Sequence, residues 1–121
     1  MATTTAGHTV LANLRDALHA HDEQGVLDAY AEDAVVIAHS ERNRPSSARP
    51  LEGHDAIAAW VHDVMSRNLK HRVSDEVIAG DSFAFRETCE YPTGELVVGT
   101  YVCEVRDGRI SRQVGAEAWD E

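Results

Sequence analysis

Four side chains in the C-terminal half, His71, Asp75, Glu87 and Tyr101, amount to acid–base chemistry if one face of a sheet carries them all. A carboxylate among apolar walls holds its proton to higher pH than in water, which suits a general base or acid near neutrality. A nearby phenol donates a hydrogen bond to a developing enolate or alkoxide. His39, closing the apolar run Ala34 to Ala38, is a further candidate base. The competing reading is structural: an inward acid at a sheet margin is solvated, and a core histidine is hydrogen-bonded and inert.

Turn chemistry predicts how these residues are positioned. Pro92-Thr93-Gly94 suits a three-residue hairpin loop, with glycine in the left-handed bulge position. That loop pairs Cys89 with Val97, Glu87 with Gly99, Phe85 with Tyr101 and Phe83 with Cys103. One face then carries Phe83, Phe85, Glu87, Cys89, Tyr91, Val97, Tyr101, Cys103 and Val105, and is the core face. A loop at Ala79-Gly80-Asp81 pairs Val77 with Phe83, Asp75 with Phe85, Val73 with Glu87 and His71 with Cys89. The same register sets Lys70 against Glu90 on the outer face, a favourable pair of opposite charges. Gly99, lacking a side chain, leaves space for a ligand beside Glu87, and Phe85 is part of the wall. Asp107-Gly108 is a two-residue hairpin signal that places Val105 opposite Ile110. Two registers remain for the last strand. Without a bulge Arg112, Val114, Ala116 and Ala118 face inward; with one, Gln113, Glu117 and Trp119 do. The apolar pattern favours the first, making Arg112 a candidate ligand contact.

The first half supplies helices. Leu11, Leu14 and Leu18 mark a helix over 9–22 with Thr9 as N-cap, and Glu23 to Tyr30 continues as a second. Ala34 to His39 reads as a strand and Ser40 to Gly53 as a loop over the pocket. His54 to Asn68 is the clearest helix, with Ile57, Val61, Val64 and Met65 on one face and Trp60 beside it. Leu14, Val61 and Trp60 are candidate pocket walls, Trp60 as a flat surface for a ring-shaped ligand. Arg42, Arg44 and Arg49 make the loop a basic cluster suited to attracting a carboxylate or phosphate.

The 121 residues fit one domain, 1–121, with 1–8 expected to be a flexible N-terminus. A formal charge of −10 disfavours nucleic acid and anionic membranes as partners. No apolar run is long enough to span a membrane, and the N-terminus has no signal-peptide pattern, so a cytoplasmic location is expected. His19 and His21 point to different sides of a helix, no further cluster completes a zinc site, and there is no Gly-rich phosphate loop. Neither a metal nor a cofactor is expected. Cys89 and Cys103 lie several positions out of register and should remain thiols. On the outer face Leu96, Val98 and Val102 are apolar where water should be, which predicts a homodimer interface.

Three motifs resemble those of SnoaL-like proteins, in the nuclear transport factor 2 and ketosteroid isomerase superfamily. They are Tyr30-Ala31-Glu32-Asp33-Ala34-Val35-Val36, Pro50-Leu51-Glu52-Gly53-His54-Asp55-Ala56-Ile57 and Asp107-Gly108-Arg109-Ile110. The resemblance spans about Thr9 to Trp119. It implies an α+β, cystatin-like cone whose curved antiparallel sheet wraps N-terminal helices and one long helix around a pocket, with dimerisation through the outer sheet face. The isomerases' base aspartate matches Ala38 or its neighbour His39, their oxyanion tyrosine matches Leu14, and their protonated aspartate matches Tyr101. The similar limonene-epoxide hydrolases use an Arg-x-Asp that matches Arg86-Glu87-Thr88, and a last-strand aspartate near Gly115. Neither set is complete here. The sequence therefore suggests a small, largely apolar metabolite handled by cofactor-independent isomerase, cyclase or hydrolase chemistry, with a non-catalytic binding or assembly module as the alternative.

Overall fold

The computed structural model describes residues 6–120. Helix α1 (Ala6–His19) and the short α2 (Glu23–Asp28) lead into β1 (Tyr30–His39). A 3-10 turn and the two-residue β2 (Leu51–Glu52) interrupt the following connection, before α3 (His54–Met65). The rest is a meander of β3 (Lys70–Ala79), β4 (Ser82–Glu90), β5 (Leu96–Arg106) and β6 (Arg109–Trp119). The strands form one sheet in the order β2-β1-β6-β5-β4-β3. This is the predicted α+β architecture with one amendment: β1 runs parallel to β6, so the sheet is mixed rather than purely antiparallel.

Helix limits differ modestly from those predicted. Thr9 lies inside α1 rather than capping it, and residues 6–8 are helical rather than a flexible lead; the remainder of that lead lies outside the described residues. The first turn is docked, since Gly7 N donates to Gly80 O at 3.1 Å and a Cβ on Gly7 would lie 2.6 Å from that oxygen. Asp22, not a continuation of α1, caps α2 by accepting from Gly25 N. Tyr30 belongs to β1, where it is buried, and α3 stops at Met65. The core fills with Leu11, Leu14, Leu18, Ile57, Val61 and Met65 from the helices, against Val36, Phe83, Phe85, Cys103 and Ile110 from the sheet.

The β4–β5 register is as predicted from Glu90–Leu96 to Phe83–Cys103. Between β3 and β4 two departures cancel. The connecting turn is the two-residue Gly80-Asp81, so Ile78 rather than Val77 faces Phe83, and Val77 is exposed on the other side. A bulge then sets Asp75 and Glu76 together opposite Phe85, with Asp75 at φ +52°. Beyond it Val73–Glu87, His71–Cys89 and Lys70–Glu90 pair as predicted. A second bulge, at Ser111, lies between the Val105–Ile110 and Glu104–Arg112 pairs. It selects the alternative the apolar pattern had disfavoured: Gln113 is buried while Arg112 is exposed.

Candidate functional site

Between α1, α3 and the core face of the sheet lies a cavity in two lobes. The inner lobe, about 40 Å³, is walled by Leu14, Leu18, Val61, Phe85 and Tyr30, with Gln113 at its floor. The outer lobe, about 50 Å³, runs from Cys89 and Tyr101 to Glu117, Arg67 and Trp119. Trp60, Val64 and Glu87 line both lobes and form the partition between them. As the side chains stand, each lobe has room for little more than water.

Glu87 is the carboxylate common to both lobes. His71 Nδ1 lies 2.8 Å from Glu87 Oε2, and the imidazole is fully buried behind it. The Nδ1–H tautomer donates to the carboxylate and leaves Nε2 buried with no partner. The orientation follows from register: His71 and Cys89 are directly opposed, Glu87 is diagonal to His71, and all three share one face of two adjacent strands. Cys89 Sγ is 3.5 Å from His71 Nδ1. Burial, and then the adjacent Glu87, push the Cys89 thiol well above its ordinary value, so it is protonated and a poor nucleophile. The donor atoms of His71, Glu87 and Cys89 all lie within 4.8 Å of one another, making this the cluster able to hold a metal ion among the described residues.

Across Gly99 from Glu87 stands Glu117 on β6. Tyr101 donates to Glu117 Oε2 at 2.5 Å, and Trp119 Nε1 donates to the other carboxylate oxygen at 3.2 Å. Two glycines make room for the phenol: a Cβ on Gly99 would lie 2.6 Å from its hydroxyl, and one on Gly115 2.5 Å from its ring. The gap expected beside Glu87 is therefore filled by the Tyr101 ring. Burial first, then Glu117 and Glu87, raise the Tyr101 pKa well above the phenol's usual value. Deeper in, Gln113 Oε1 accepts from Tyr30 O–H at 2.8 Å and from Cys103 S–H at 3.5 Å. Both donors are on the oxygen, and Gln113 lines the inner lobe. Burial likewise raises the Tyr30 pKa.

The structure thus brings Glu87 and Tyr101 to one cavity, with His71 buried behind Glu87, Leu14, Trp60, Val61 and Phe85 as walls and Gly99 beneath the phenol. It does not bring Asp75, which the bulge turns outward to pair with Arg86 at 3.5 Å. Arg112 faces away, opposite Glu104. Alternation along β1 sends Val36 and Ala38 to the core and His39 to the opposite face. The loop after β1 is organised by Asn43, whose side chain donates to Ala38 O and accepts from Arg49 N. Ser40, Glu41 and Arg42 share a surface hollow with Trp119 and Asp120, and Trp119 also lines the outer lobe. Glu117, Gln113 and Cys89 were missed as site residues. The first two belong to the bulged register of the last strand, which the apolar pattern disfavours, and Cys89 reads from the sequence as a core-face thiol.

Residues 11–113 match the SnoaL-like domain. No curated protein matches the sequence. Among solved structures, a nuclear transport factor 2-like protein of unknown function from Mesorhizobium loti is 20% identical, with TM-score 0.75 over 91% of this chain and 88% of its own. A candidate ketosteroid isomerase from Kribbella flavida is 19% identical, with TM-score 0.74 over 98% of this chain and 83% of its own. A candidate polyketide cyclase from Sinorhizobium meliloti is 22% identical, with TM-score 0.69 over 88% of this chain and 93% of its own.

Proposed function

Starting from a chain that belongs to the SnoaL-like domain family, we propose an enzyme that moves a proton on a small, largely apolar carbonyl compound, in an isomerase or cyclase type of reaction without a cofactor. The observation that carries this reading is Glu87, a carboxylate common to both lobes of an otherwise mostly apolar cavity and held by a buried histidine. A carboxylate so placed abstracts a proton from carbon next to a carbonyl and returns it elsewhere on the same skeleton. His71 touches no lobe and acts as a positioning residue, fixing which carboxylate oxygen is free. The Gln113 amide N–H groups supply the donor that a developing enolate oxygen needs in the inner lobe. Tyr101 serves in the outer lobe, where Glu117 releases its hydroxyl to a better acceptor. The Kribbella and Sinorhizobium neighbours support an isomerase or cyclase reading through shared fold.

The test uses exchange of the α-protons of a small cyclic ketone into deuterium oxide, followed by NMR. The wild-type protein should accelerate exchange, and Glu87→Gln should lower the rate about 10²–10⁴-fold with the melting temperature little changed. Equal rates for the two proteins would overturn the assignment and leave a non-catalytic binding module. The proposal extends to assembly. Val98, Val102, Val114 and Ala118 are neighbours by register on the outer sheet face, and Val102 is 57% exposed, which suits a two-fold homodimer.

A further inference from the structure

His71, Glu87 and Cys89 taken together offer a chemistry beyond proton abstraction by Glu87. An imidazole, a carboxylate and a thiol are the three ligand types that zinc takes, and three protein ligands with one open position are the arrangement of a zinc ion that does chemistry. His71, Glu87 and Cys89 supply one of each, from two hydrogen-bonded strands whose register sets them side by side. A tetrahedral ion with Zn–N and Zn–O near 2.0 Å and Zn–S near 2.3 Å separates its ligand atoms by roughly 3.3–3.6 Å. The Nδ1–Oε2 distance of 2.8 Å and the Sγ–Nδ1 distance of 3.5 Å are each within about half an ångström of that range. Glu87 and Cys89 both line the outer lobe, so the fourth position of an ion held by them opens into it.

We propose that His71, Glu87 and Cys89 form a binding site for one zinc ion. Charge favours this: a thiolate and a carboxylate together neutralise the dication, so the buried site carries no net charge once filled. The proton balance closes as well. Cys89 loses its thiol proton to solvent as sulfur binds the metal. The proton on His71 Nδ1 moves to the other ring nitrogen, Nε2, as Nδ1 turns its lone pair to the metal. An ion here also takes up a Glu87 oxygen, so filled and ion-free protein differ in whether that oxygen can accept a proton. The site does not depend on the proposed proton transfer.

Equilibrium dialysis of the metal-free protein against zinc, with a chromophoric chelator as competitor, measures stoichiometry and affinity. Cobalt(II) as a replacement reports sulfur ligation through a thiolate-to-cobalt charge-transfer band. One ion per chain is expected, with the band present. Cys89→Ser should abolish the band and weaken zinc binding about a hundredfold or more, since loss of a group that merely orients a ligand already costs 10–100-fold. Glu87→Gln should weaken zinc binding while keeping the band, and it covers the case in which Cys89→Ser does not fold. No zinc binding by the folded wild type would overturn the site, as would equal binding by either folded variant. Retention of the band in Cys89→Ser would place the ion elsewhere and overturn it too. Deuterium exchange by metal-free protein is scored separately, so failure of the metal site leaves the acid–base reading standing.

Discussion

Glu87 and Tyr101 sit in one cavity with their protons managed differently. Glu87 accepts from a histidine that touches no ligand space, whereas Tyr101 has its own proton committed to Glu117. Tyr30 and Tyr101 both have pKa values raised well above 10.0 by burial, so folding favours their neutral forms. The stability they lend is complete below the unfolded value near 10.0 and is lost as pH rises through the folded values. Denaturant midpoints should therefore fall above about pH 10, with ionisation of these phenols accompanying unfolding. A spectrophotometric titration with circular dichroism on the same sample checks this; their ionisation in fully folded protein at pH 10 would contradict it. At this scale the sequence was informative where a residue's face followed from pairing, as for Glu87, His71 and Tyr101. It was silent on where a flexible end points. Nothing in the order of letters shows the phenol lying over Gly99 or the Gln113 amide turned by Tyr30.

The elements that set these positions are strands with two one-residue irregularities. The bulge at Asp75 removes one predicted acid from the cavity, and the bulge at Ser111 brings Gln113, Glu117 and Trp119 to it. The first was not anticipated and the second stood only as the disfavoured alternative, because a bulge replaces one alternating pattern with another that is locally as good. The apolar Val114, Ala116 and Ala118 made the wrong face of β6 look like the core face, since that outer face is apolar as well. The hairpin at Pro92-Thr93-Gly94 was legible because its turn residues specify loop length directly. Gly115 tests how tightly β5 and β6 are fitted. A Cβ there would lie 2.1 Å from the Thr100 carbonyl oxygen and 2.5 Å from the Tyr101 ring. Gly115→Ala should lose about 1–3 kcal/mol in urea denaturation. A loss within measurement error would show that the strands yield there.

For the molecule as a whole, motif order, helix pattern and hairpin turns were enough to anticipate the α+β fold. The parallel pairing of β1 with β6 was not anticipated, because no local pattern records which distant strand becomes a neighbour. No helix among the described residues is long and apolar enough to cross a membrane. The outer face, with Leu96 and Val102 exposed, is the largest-scale proposal. Light scattering after size exclusion should give twice the chain mass for wild type and the chain mass for Val102→Glu, which places a charge amid the apolar neighbours. Equal masses for both would rule the face out as an interface. The partition between the lobes has a further consequence. The chain's two tryptophans, Trp60 and Trp119, stand at the partition and the rim of one cavity. One indole is half-buried beside Tyr30, and the other is 43% exposed with Arg67 over its ring. Intrinsic fluorescence is thereby divided between the depth and the doorway of the same space, so a molecule placed in one lobe would perturb one indole before the other.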